Sequence, residues 1–144
     1  MGSRSRRAAP LAVVGVVLAA AAAALGLTGC ASLSPDAGAA ASVVSQLDTA
    51  IASGDGAAAC ALLSESAQRS VTLQTGGGCA DGILSLGLAV DATPGEPQAY
   101  GRSAFVPLGD GAVFLTADDD GWRVRAIGCV PQGDSPYLCA VDGS

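Results

Sequence analysis

The chain opens with two different hydrophobic patterns and changes to a third near its middle. Residues 11–27, LAVVGVVLAAAAAALGL, are apolar without any period. From residue 42 the apolar positions recur at helical spacing. Val43, Leu47, Ala50 and Ile51 share one face, which predicts a helix over 42–53. SGDG at 53–56 ends it, and Asp55 is placed to cap the next. Cys60, Leu63, Ala67 and Val71 then predict a second helix over roughly 57–70. TGGG at 75–78 breaks the chain, and Cys79, Ile83 and Leu86 predict a third helix over about 79–88.

Beyond the loop TPGEP at 93–97 the period becomes two. Residues 98–108 read as a strand with Tyr100, Ala104, Val106 and Leu108 on one face, and Pro107 makes its end an edge. Asp110-Gly111 and Asp120-Gly121 are hairpin signals, with strands over 112–117 and 122–128. In the second of these, Trp122, Val124 and Ala126 face one way, and Arg123 and Arg125 the other. CVPQGDSPY, 129–137, reads as an irregular crossing before a short last strand over 138–142. Helices first and a meander afterwards predict an α+β domain over 42–144, with helices packed on a three- to four-stranded antiparallel sheet. The order and size resemble the cystatin-like or nuclear-transport-factor-2-like cone, most specifically in GWRVRAIGCVPQGDSPYLC at 121–139.

The unpatterned N-terminal run follows MGSRSRR, three arginines with no acid. A basic segment and then a short apolar segment make a secretory signal peptide. A membrane span would need about 20 apolar residues and a stop-transfer flank. Arg6-Arg7 leaves the export route open between the general and twin-arginine pathways. The run closes on LTGC, Leu27 to Cys30, which resembles the lipobox of bacterial lipoproteins. The lipobox resemblance implies a signal peptide over 1–29, cleavage before Cys30, and a diacylglyceryl group on the Cys30 thiol. The order and size of the elements over 42–142 also resemble small actinobacterial lipoproteins of unassigned function. Two acyl chains hold a protein at a bilayer where one holds it only transiently. Residues 30–41, a lipidated cysteine and the small residues ASLSPDAGAAA, read as a flexible tether.

Charge changes the picture next. Beyond residue 29 stand four arginines, no lysine and thirteen acids, a net charge of −9. That balance argues against nucleic acid and against electrostatic docking on anionic lipid. The expected membrane partner is therefore reached through the lipid on Cys30. The chain has no histidine, and so lacks the commonest general base and metal ligand.

Four cysteines remain: Cys60, Cys79, Cys129 and Cys139. An exported chain with an even number of spare cysteines reads as a disulfide framework with three available pairings. Two local bridges, Cys60–Cys79 and Cys129–Cys139, are expected over a zinc site, because the spacing has no C-x₂₋₄-C knuckle. Asp118-Asp119-Asp120-Gly121 lacks the alternation of a calcium loop and reads as a charged turn. Gly76-Gly77-Gly78 precedes a helix but no P-loop lysine follows. Ser64-Glu65-Ser66 is no nucleophile elbow, and nothing singles out Asp91 or Glu96 with Tyr100 as a catalytic pair. Trp122 reads as core. No catalytic, cofactor or metal residue is expected. The sequence thus predicts a non-enzymatic lipoprotein on the outer face of the cell membrane, whose domain binds or spaces something, a cell-envelope protein or a small apolar ligand held inside the cone. A cone-type isomerase or cyclase is the remaining alternative.

Overall fold

A computed structural model describes residues 36–89 and 93–144. Four helices come first: α1 (Ala37–Ala52), α2 (Gly56–Ala61), α3 (Glu65–Thr75) and α4 (Cys79–Ser85). Six strands follow: β1 (Gln98–Tyr100), β2 (Ser103–Leu108), β3 (Gly111–Asp118), β4 (Gly121–Gln132), β5 (Ser135–Leu138) and β6 (Val141–Asp142). All pairings are antiparallel, in the order β1-β2-β3-β4-β5, with β6 also on β4. The α+β arrangement is as expected, but the sheet has six strands rather than three or four.

α1 begins at Ala37, earlier than residue 42, so 37–41 are helix rather than tether. The Asp36 carboxylate caps it, accepting from the Ala39 N–H at 2.6 Å, and alanine is the best helix former. Ala40 is already buried, and Val44 rather than Val43 lies at the centre of the buried stripe with Leu47. On the solvent side Ser42, Ser45 and Thr49 return their hydroxyls to carbonyls four residues back. The Trp122 indole N–H donates to the Asp36 carbonyl at 2.9 Å, which fixes the start of α1 to the start of β4. The segment before Asp36, including Cys30 and the rest of the expected tether, lies outside the described residues.

The expected second helix is two. Leu62 to Ser64 leave the helix and form a one-residue parallel bridge, Leu63 to Val124, on β4. The Val124 N–H donates to the Leu62 carbonyl at 2.9 Å and the Ser64 N–H to the Val124 carbonyl at 2.8 Å. Gln68 donates through Nε2 to the carbonyls of Cys60 and Leu63, so the freed groups at the break are satisfied. The Ser64 hydroxyl then caps α3 by accepting from the Ala67 N–H. The third expected helix stops at Ser85 rather than residue 88.

Two β-bulges reshape β4. Leu115 pairs with Val124, but Phe114 pairs with Ala126, so Arg125 is an extra residue. A second shift falls between Ala126 and Cys129, where Gly128 has φ 66°. Strict alternation places Ala126 beside Val124; the bulge turns it to the opposite face. β4 also runs on through Gln132, turns at Gly133-Asp134 and returns as β5, so 129–137 is a hairpin and not an irregular crossing. The expected first strand divides at Gly101-Arg102, and Tyr100 is exposed rather than core-facing.

Each face of the sheet has a core. On the helical side Val44, Leu47, Leu63, Val71, Ile83, Val106, Val113, Leu115, Trp122, Val124, Ile127 and Val141 pack together. On the other side Ala112, Ala126 and Cys129 are buried beneath Phe105, Phe114 and Cys139. Tyr137 of β5 completes that second cluster, with its ring centroid 5.2 Å from Phe114 and 6.3 Å from Phe105.

Candidate functional site

The space between helices and sheet, where a cone-type ligand site would lie, is filled by side chains. Leu47, Leu63, Ile83, Val106, Val113 and Val124 are each at most 1% exposed. Clefts occur at the margins. One of about 360 Å³ lies at the end of the sheet, among Leu86, Leu88, Leu108, Ile127 and Val130. A second of about 510 Å³ is a shallow surface groove along α3, among Glu65, Gln68, Arg69, Leu73 and Cys79. A third of about 270 Å³ is on the outer face of the sheet, where Phe114, Ala126 and Tyr137 meet Arg125 and Asp142.

The expected disulfides are both formed. Cys60 on α2 is bonded to Cys79 at the start of α4, with Cα atoms 6.1 Å apart. Cys129 on β4 is bonded to Cys139, which follows β5. The first bridge belongs to the helical core and the second to the aromatic cluster on the other face.

The motifs that raise chemical alternatives serve local structure. The Ser64 hydroxyl is a helix cap and lies 3.2 Å from the Ser66 hydroxyl. Gly76 ends α3 in the left-handed conformation, and Gly78 precedes α4. Asp118 accepts the Asp120 N–H and lies 3.4 Å from Arg123, whose guanidinium also reaches Asp120 at 4.0 Å. The acidic run is therefore a hairpin turn braced by one arginine. Glu96 and Tyr100 are exposed, and the Tyr100 hydroxyl donates to Gln98. Asp91 lies outside the described residues. Trp122 is 2% exposed and is core, as expected. Among the described residues no group of three or more His, Cys, Asp or Glu is placed to hold a metal ion. No helix among them is long and apolar enough to cross a membrane.

One titratable group escapes the sequence reading. Asp48 on α1 is 9% exposed, and its Oδ1 has no hydrogen-bond partner among the described residues. Burial pushes its carboxyl up to about 6. The signal was present in the sequence: Asp48 lies four residues after Val44 and three before Ile51, within the apolar stripe. No protein-family model matches the chain, and neither does any curated protein or solved structure.

Proposed function

We propose that this chain is an exported lipoprotein, held at the outer face of the cell membrane by lipid on Cys30, and that its domain is a non-catalytic binding or spacer module of the cystatin-like or nuclear-transport-factor-2-like kind. The observation that carries the domain reading is the filled helix–sheet interior, in which Trp122 and Ile127 are buried with the aliphatic side chains of the helices. The helix-then-meander order supports the fold assignment. The two bridged cysteine pairs support export, because disulfides persist in oxidising compartments. Basic residues, an apolar run and LTGC support the anchor.

The apolar cleft beside Leu88, Leu108 and Ile127 favours a second reading, a carrier of a small apolar ligand. In that reading the ligand sits at the end of the sheet and not inside the cone.

Membrane fractionation with intact-mass analysis of wild type and Cys30→Ala tests the anchor. The wild type is expected in the membrane fraction, shortened by the signal peptide and heavier by the acyl groups. Cys30→Ala should be released, or remain as uncleaved precursor. Identical mass and identical fractionation of the two proteins would overturn the anchor.

A further inference from the structure

Strand register places five residues in one row across the outer face of the sheet: Gln98, Phe105, Phe114, Ala126 and Asp142. Ala126 is the small member of that row, between an aromatic ring and a carboxylate, and at 2% exposed it forms the floor of a notch. The β4–β5 hairpin closes one side by setting Tyr137 against Phe114. The disulfide from Cys129 to Cys139 holds the end of that hairpin in place. The bulge supplies the remaining wall. An extra residue at Arg125 lets this side chain border the same cavity as Ala126, where strict alternation would send the two to opposite faces.

The other three arginines beyond residue 36 have partners. Arg69 pairs with Glu65, Arg123 with Asp118 and Asp120, and Arg102 donates to the Ala117 carbonyl. Among the described residues the Arg125 guanidinium has neither a hydrogen bond nor a carboxylate within 4.0 Å, although Asp142 borders the same cavity and the Arg125 carbonyl accepts the Gly143 N–H at 3.0 Å. Asp142 uses Oδ1 to accept the Ser144 N–H, which leaves Oδ2 uncommitted among those residues. The notch therefore presents a cation and an anion, separated from each other, above an aromatic wall.

A guanidinium grips a carboxylate through two parallel N–H donors. A carboxylate and aromatic faces both attract an ammonium, and the aromatics also cover an apolar body. The cavity, about 270 Å³, lies below the range of drug-sized pockets, so the ligand is compact. We propose that this notch binds a small zwitterion, an α-amino acid with an aromatic or aliphatic side chain, its carboxylate on Arg125, its ammonium on Asp142 and its side chain against Phe114 and Tyr137. This deepens the binding-module reading and is independent of the lipid anchor, which fractionation tests separately.

The test is titration of the full chain in detergent micelles with L-phenylalanine, followed by amide NMR shifts. Saturable shifts are expected at Arg125, Ala126, Tyr137 and Asp142. Arg125→Gln should weaken binding about tenfold or more, the effect of losing one charge-assisted contact. Arg69→Gln, on an exposed helix face, should leave it unchanged. 3-Phenylpropionate, lacking the ammonium, and phenethylamine, lacking the carboxylate, should each bind at least about tenfold more weakly than the zwitterion. Arg125 is exposed, so its replacement leaves the fold intact, and the wild-type ligand comparison is free of any folding question. Absence of saturable shifts, an equal loss in Arg69→Gln, or phenylpropionate binding as tightly as phenylalanine would each overturn the proposal.

Discussion

A single carboxylate on the buried stripe of α1 sets the pH response expected of this domain. Asp48 has its carboxyl raised from 3.8 to about 6 by desolvation, and nothing among the described residues compensates Oδ1. Well below pH 4 the group is protonated in both folded and unfolded chains and adds no charge penalty. As pH rises from about 4 to 6 the unfolded chain loses this proton while the folded chain retains it, so stability falls. Above about pH 6 the penalty is complete and constant. Asp48→Asn removes the charge at nearly constant shape. It should stabilise the domain at pH 7.5 by up to about 3 kcal/mol, and by well under about 1 kcal/mol near pH 4. Thermal melts of the two proteins across this range are the measurement. A stability difference that does not change with pH would show that Asp48 is solvated in the fold.

At the scale of elements, small residues decide how closely the helices approach. A Cβ added to Gly56 would lie 2.0 Å from the Ala80 carbonyl oxygen. Gly56 and Cys60 are one turn apart on α2, and they meet the consecutive residues Ala80 and Cys79 of α4. The disulfide and the glycine thus belong to one close helix contact. Gly56→Ala has to push backbone against backbone, and should cost about 2 kcal/mol or more despite alanine's better helix propensity. Chemical denaturation of Gly56→Ala beside an exposed control, Gly77→Ala, reads this; equal midpoints for the two variants would contradict the contact. Elements of this kind were legible in sequence where periodicity is unbroken, as in α1 and β3. They were not legible where long-range pairing overrides local pattern. The bridge from Leu63 to Val124 divides a continuous apolar period into two helices. The bulge at Arg125 inverts Ala126, and no local feature of WRVRAIG announces it. CVPQGDSPY reads as an irregular crossing, yet its Pro131 and Pro136 both lie within the β4–β5 hairpin. The notch depends on that bulge and that hairpin, which is why its residues were separate in the sequence reading.

At the scale of the whole domain, stability is divided between two faces of one sheet, and each face has its own disulfide. Trp122 is the one aromatic in the helical core, and most of the other residues there are Val, Leu or Ala, which bury modest area each. Net stability of a domain is typically about 5–15 kcal/mol. Closing loops of 19 and 10 residues removes on the order of 3 kcal/mol of unfolded-state entropy apiece. The two bridges then differ in what they hold. Cys60–Cys79 joins α2 to α4, and its partners reach Ile83, Leu63 and through them the sheet. Its replacement by serines should lower the global unfolding temperature by about 10–20 °C. Cys129–Cys139 holds the β5 hairpin over a small cluster of Ala112, Ala126, Phe105 and Phe114. Its replacement should open that hairpin locally before the rest unfolds, because the helical core on the opposite face remains closed. Hydrogen exchange separates the cases. In the Cys129→Ser, Cys139→Ser variant, amides of β5 and the end of β4 should lose protection while those of α1, α3 and β3 keep theirs. In the Cys60→Ser, Cys79→Ser variant, protection should fall in the helices and the sheet together. Uniform loss in both variants would mean that the two faces unfold as one unit, and that the hairpin is part of the main core.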